Sequence, residues 1–363
     1  MDYKARQTAL QGLVEQSKLD ALLLVHLPNI RYLTGFTGSA AALLVTEKGS
    51  VFFTDGRYTS QAREEVQGAR IMVERKSPLA AAAAWIKAQR RGSASWRLGI
   101  EAENLTVAEE SRLRESLAGK VRLRPAPPLV ERARMIKDAD EIEVLRQAVN
   151  LGASLFDTAL KAIRPGVPEN EVAAEMEYAA SRAGAETMSF PTIIASGARS
   201  ALPHGRASGQ PIRPDGFVVC DFGVILGGYC SDMTRTVYVG RVAEEARQMY
   251  EAVREAQQAA VNAVQPGRSV GEVDRAARNL LKRNRLARYF THSTGHGVGL
   301  EIHESPRVAA GQDEPLRPGM VITIEPGVYV PGKWGVRIED MVLVTERGAE
   351  VLTPTSKELI ALG

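Results

Sequence analysis

Cysteine is almost missing from this chain, with only Cys220 and Cys230 in 363 residues. Two cysteines cannot build a disulfide framework, and their spacing is not that of a zinc ribbon. Long apolar runs are missing as well. The longest, residues 21–25 and 79–86, fall far short of the roughly 20 residues that a membrane-spanning helix needs. The opening Met1-Asp2-Tyr3-Lys4 lacks the basic-then-apolar pattern of a secretory leader. The expectation is a cytoplasmic, reduced protein with no membrane contact. A charge excess is also lacking: 46 Lys and Arg against 43 Asp and Glu leave a net charge of +3. The arginine clusters at 112–114 and 283–288 have the spacing of solvated helix faces, so no nucleic-acid partner is expected. What remains is ordinary globular material, 44% hydrophobic and 25% charged, long enough for about two domains.

Residues 21–25, 41–46 and 51–54 read as strands, the last two joined by a turn at 47–50. A helix is expected from an N-cap at Ser77, with Pro78 in its first position, to about Arg90. Residues 97–101 and 121–123 read as further strands. These segments predict a small α/β domain over residues 1–127. Pro125-Ala126-Pro127-Pro128 reads as a linker, because its prolines fit neither helix nor central strand. A second domain is expected over 128–363, opening with an amphipathic helix at 138–160.

That second domain repeats itself weakly. Arg164-Pro165-Gly166 followed by Glu171-Val172 recurs as Gln265-Pro266-Gly267 followed by Glu272-Val273. The stretch from Arg213-Pro214-Asp215-Gly216 to Asp221 returns as Arg317-Pro318-Gly319-Met320 to Glu325. Two related halves are expected, each a helix pair followed by apolar strands. The fold class is therefore α/β (α+β), with an internal pseudo-twofold repeat.

Acidic residues occupy matching places in the halves. Asp221 and Asp232 bracket a hairpin predicted with strands at 218–225 and 229–239 and a Leu226-Gly227-Gly228 turn. If the turn centres between Leu226 and Gly227, Asp221 faces Asp232, with Cβ atoms about 5 Å apart. Carboxylates that close repel unless cations lie between them. Glu325 takes the place of Asp221 in the second half, and Glu339 lies on the next strand-like segment, 336–344. Four carboxylates balance two divalent ions, and burying them without metal would be costly. Three of the five histidines, His292, His296 and His303, fall in THSTGHGVGLEIHE. Its glycines argue against a helix, and so against a helical zinc-protease site. His204 sits in the corresponding stretch of the first half. Mixed carboxylate and imidazole donors favour manganese, cobalt, iron or zinc. Cys230 is expected to be a packing residue, with no disulfide to Cys220.

Asp221, Asp232, His296, Glu325 and Glu339, in this order and context, resemble the five-ligand set of the pita-bread metallopeptidases, over residues 135–354. That family includes methionine aminopeptidase, aminopeptidase P and prolidase. The resemblance implies two divalent ions, manganese first, then cobalt, zinc or iron. Asp232 and Glu339 would bridge them, Asp221 would complete one, and His296 and Glu325 the other. It also implies a homodimer. The segments Tyr32-Leu33-Thr34-Gly35-Phe36-Thr37-Gly38-Ser39 and Thr54-Asp55-Gly56-Arg57-Tyr58 resemble the N-terminal domain of aminopeptidase P. In proline-specific members, positions matching His204 and His303 contact the scissile peptide, and His292 lines the proline pocket. Arg337 matches as well and could help clamp a free carboxylate. Glu325 would shuttle the proton. The expected activity is hydrolysis of the N-terminal Xaa-Pro bond, of the aminopeptidase P type, on peptides with proline in second place. The alternative is a prolidase restricted to dipeptides. Methionine aminopeptidase is disfavoured by the N-terminal domain. A metal-free creatinase-like amidinohydrolase and a non-catalytic binding protein are disfavoured by the intact ligand set.

Overall fold

Ala21–Leu24 is buried at all four residues, as a strand covered on both faces must be. It lies inside a six-stranded sheet in a computed structural model that describes residues 1–89, 95–117, 119 and 121–363. The strand order is Ala69–Glu74, Gly49–Asp55, Ala42–Thr46, Ala21–Leu24, Trp96–Ile100, Val121–Pro125. The helix Pro78–Gln89 buries Ala81, Ala82, Ala83 and Ile86 in the core of this sheet. Arg90, the expected helix end, lies outside the described residues. Asp55 caps the next turn by accepting from the N–H of Arg57. No helix among the described residues is long and apolar enough to cross a membrane.

The chain forms two compact units, Met1–Arg134 and Met135–Gly363. The short helix Leu129–Arg134 follows the proline-rich segment and stays with the first unit, where Arg134 Nη1 donates to Asn29 Oδ1 at 2.8 Å.

In the second unit the repeat is visible bond by bond. Helices Ala139–Ala162 and Glu169–Arg182 form one pair, Glu244–Ala263 and Val270–Arg283 the other. Between the partners of each pair, Gly166 and Gly267 take positive φ of 89° and 83°. The Gly166 N–H donates to Ile212 O and the Gly267 N–H to Leu316 O, both at 2.8 Å. The first pair packs on a sheet ordered Ala361–Leu362, Met233–Val239, Gly216–Phe222, Ile193–Ser196. The second pair shares a core with the sheet ordered Glu304–Val308, Gly295–Gly297, Val321–Ile324, Asp340–Thr345, Gly348–Val351.

The hairpin register differs from the expected one. Leu226 pairs with Tyr229 and Ile225 with Cys230, so the turn residues are Gly227 and Gly228. Both have positive φ, 56° and 81°, as a two-residue turn matched to strand twist requires. Leucine at 226 could not supply that conformation cheaply. Asp221 therefore faces Thr234, not Asp232. Asp232 falls in a gap between the strands Tyr229–Cys230 and Met233–Val239. Glu339 falls in a similar gap, between Trp334–Arg337 and Asp340–Thr345.

Candidate metal centre

These gaps aim side chains into one cavity. Asp221 is the penultimate residue of Gly216–Phe222, and Glu325 directly follows Val321–Ile324. The register pairs Ile324↔Asp340 and Gly327↔Arg337 continue to set Glu325 across from Glu339. His296 is the middle residue of Gly295–Gly297. Asp221, Asp232, His296, Glu325 and Glu339 line a cavity of about 690 Å³, and so do His204, His292, His303 and Arg337. Every site residue expected from the sequence is thus brought together. Cys230 is not among the lining residues. Both cysteines are buried and free, and burial pushes the Cys220 thiol up to about 12.

Asp232, His296 and Glu339 are buried and present ligand atoms within 4.8 Å of one another. His296 Nε2 lies 3.6 Å from Asp232 Oδ2 and 3.4 Å from Glu325 Oε1. Burial lowers the His296 pKa to about 4, so the ring is neutral and these contacts are not ion pairs. Nδ1 lies 2.9 Å from the Gly297 carbonyl, which can only accept. The Nε2 lone pair then faces carboxylate oxygens, a repulsive arrangement unless a proton or a cation sits between them. Burial raises the pKa of Glu325 to about 8 and those of Asp232 and Glu339 well above the usual range, with neighbouring carboxylates adding to the effect on all three. Asp232 Oδ1 and Glu339 Oε1 are buried with no hydrogen-bond partner among the described residues. Orphaned buried oxygens of this kind are costly in a dry site and are what a metal ion would satisfy. The donor set fits divalent cations.

Arg337 places a buried guanidinium against these acids. It donates to Asp221 Oδ2, to Thr234 Oγ1 at 3.1 Å, to Pro203 O at 3.0 Å and to Tyr329 OH at 2.6 Å. With those donors committed, Arg337 orients Asp221 and is poorly placed to grip a substrate carboxylate. Sequence reasoning missed Tyr329 and Thr234. Tyr329 OH contacts His292 Nε2 at 3.0 Å, and burial pushes its phenol up to about 12. Thr234 Oγ1 donates to Glu339 Oε2 at 2.6 Å. A hydroxyl on a strand carries no sequence signal of its own, and only the register reveals either. The ring of His303 stands edge-on to that of His296, with centroids 4.3 Å apart.

Comparison with known proteins agrees with this geometry. Residues 143–346 match the model of metallopeptidase family M24, and residues 6–136 that of the creatinase/prolidase N-terminal domain. An Xaa-Pro dipeptidase of Pyrococcus horikoshii is 38% identical over 96% of this chain and 96% of its own. The solved structure of an Xaa-Pro dipeptidase from Bacillus anthracis is 39% identical, with a TM-score of 0.94 over 99% of this chain and 100% of that one. An X-Pro aminopeptidase from Thermotoga maritima is 32% identical, with a TM-score of 0.88 over 98% and 100%. The family is one of dinuclear metal enzymes, and Asp232, His296 and Glu339 form a group in this cavity that could hold a metal ion. The chain belongs to metallopeptidase family M24, with a creatinase/prolidase N-terminal domain and a pita-bread catalytic domain.

Proposed function

We propose that the chain is an Xaa-Pro dipeptidase, hydrolysing the bond between one residue and a C-terminal proline. The observation that carries metal-dependent hydrolysis is the buried cluster with orphaned oxygens on Asp232 and Glu339. Asp221, Asp232, His296, Glu325 and Glu339 would hold two divalent ions. Manganese is the first expectation for such oxygen and imidazole donors. The bound ions would supply a water that is nucleophilic at neutral pH and a polarised carbonyl.

The protein groups do the rest. Glu325 accepts the proton of the attacking water and passes it to the proline nitrogen as the C–N bond breaks. His303 and His204 donate to the oxygen that gains charge. His292, held by Tyr329, walls the side on which proline rests. The products are a free amino acid and proline.

Restriction to dipeptides draws support from Arg206 and Arg307. Both line the cavity, both are exposed, and neither forms an ion pair among the described residues. A dipeptide's carboxylate would meet that positive charge. The relatives named as Xaa-Pro dipeptidases support the same choice. The aminopeptidase reading, expected from the N-terminal motifs, is the second one, supported by the likeness to the Thermotoga enzyme. Turnover of an Xaa-Pro dipeptide against an Xaa-Pro-Xaa tripeptide, with added manganese, separates them. Clear preference for the dipeptide is expected. Equal or faster cleavage of the tripeptide favours the aminopeptidase, and cleavage of neither sinks both.

A further inference from the structure

The helix Val270–Arg283 buries a carboxylate that the chemistry above does not use. Asp274 is 1% exposed. Its Oδ1 accepts from Thr294 Oγ1 at 2.8 Å, and its Oδ2 accepts from Arg278 Nε at 2.7 Å. Arg278 reaches the same segment: Nη2 donates to the His292 carbonyl at 2.6 Å and Nη1 to that of Phe290 at 3.2 Å. Thr294 is fully buried, with every polar group committed. Its N–H donates to Val308 O at 2.9 Å, and its carbonyl accepts from the N–H of Glu325 at 2.7 Å. One bond therefore separates Thr294 from Glu325, and one residue, Gly295, separates it from His296.

The segment has no slack. A Cβ on Gly295 would lie 1.8 Å from the Thr323 carbonyl. The His296 N–H donates to Thr323 Oγ1 at 3.1 Å. A simple helix-surface pair would need only Asp274 and Arg278, four residues apart. The second oxygen, aimed at Thr294, extends the network to the segment bearing two of the candidate ligands. Partners behind metal ligands fix their orientation, and losing one typically weakens metal binding by about 10- to 100-fold.

We propose that Asp274, acting through Thr294, is a positioning residue for one ion of the pair, the ion held by His296 and Glu325. The proposal rests on the ligand reading above. Asp221 comes from the other half of the repeat, so the ion it completes lies outside this network.

The test is calorimetric titration of chelator-treated, full-length protein with Mn(II), with thermal melts as the folding control. Wild type and Thr294→Ser, which keeps the hydroxyl, are expected to bind two ions. Thr294→Val and Asp274→Asn are expected to keep one ion at wild-type affinity and to bind the other about 10- to 100-fold more weakly. Unchanged affinity for both ions in a folded Thr294→Val, or equal weakening of both, overturns the proposal. If Thr294→Val does not fold, Asp274→Asn makes the same comparison. A wild type that binds no ion overturns the ligand assignment and the positioning role with it, whereas a wild type that binds two ions beside unchanged variants overturns the positioning role alone.

Discussion

At the residue scale, the centre depends on a few atoms with nothing else to bind. Asp232 Oδ1 and Glu339 Oε1 are the clearest, being buried and unpartnered among the described residues. Asp232→Ala should abolish metal binding and turnover together, measured as bound metal after desalting and as release of proline. A variant keeping full activity without metal would falsify the ligand reading. Arg307 is a separate case, since it pairs with His296 through the strand backbone while its side chain, which lines the cavity, makes no hydrogen bond to a candidate ligand among the described residues. Arg307→Ala should raise KM about 10-fold or more for an Xaa-Pro dipeptide, an estimate from the worth of a charge-assisted hydrogen bond. It should change KM little for the corresponding amide, which has no carboxylate. Equal effects on both substrates would remove the argument for carboxylate recognition. The metal ligands were legible because carboxylates and histidines at matching places in a repeat have few bland explanations. Tyr329 and Thr234 were not, because a single hydroxyl acquires meaning only from its neighbours. Arg337 was legible as a member of the site, but its partners, Asp221, Thr234, Pro203 and Tyr329, come from several strands and loops.

At the element scale, the lesson lies in the first-half hairpin. The strands and the presence of a turn could be read from Val218 to Val239, but the pairing could not. Moving the turn centre by one residue replaces Asp232 by Thr234 opposite Asp221. The sequence signal was there in Gly227-Gly228, since both turn residues need positive φ and leucine resists it. Gly227→Ala should therefore destabilise the fold by roughly 1–2 kcal/mol from backbone strain alone. A Cβ there would also lie 2.9 Å from Val144 Cγ1, which adds to the cost. Denaturant titration checks this, and an unchanged midpoint would contradict the turn assignment. The short helix Leu129–Arg134 was missed for a related reason. Prolines signal the end of one element, yet Pro127 and Pro128 also lead directly into the first turn of another.

At the scale of the molecule, the four clustered acids link stability to pH and metal. Without metal, folded Glu325 keeps its proton up to about pH 8, while the unfolded chain releases it near 4.5. A raised acid contributes stability below that window and loses it as pH rises through the folded value. His296 opposes this only between about 4 and 6.5, where the unfolded chain takes up the proton. Chelator-treated protein should thus melt at falling temperature from about pH 6.5 to 8, and saturating Mn(II) should flatten the curve by displacing the protons. Parallel curves with and without metal would contradict this. The architecture behind it was legible early, because a repeat of helix pair and strands is a large-scale pattern that survives small errors of register.

Arg337 carries one more implication. A guanidinium has donors only, so it fixes the polarity of whatever it touches. Thr234 and Tyr329 each receive one of its N–H bonds, and each has a single proton left to give, toward Glu339 and His292 respectively. Two one-way chains thus leave the same side chain, one ending at a carboxylate and the other at an imidazole. Because arginine does not titrate in the range where proteins stay folded, neither chain can reverse its direction when the pH changes.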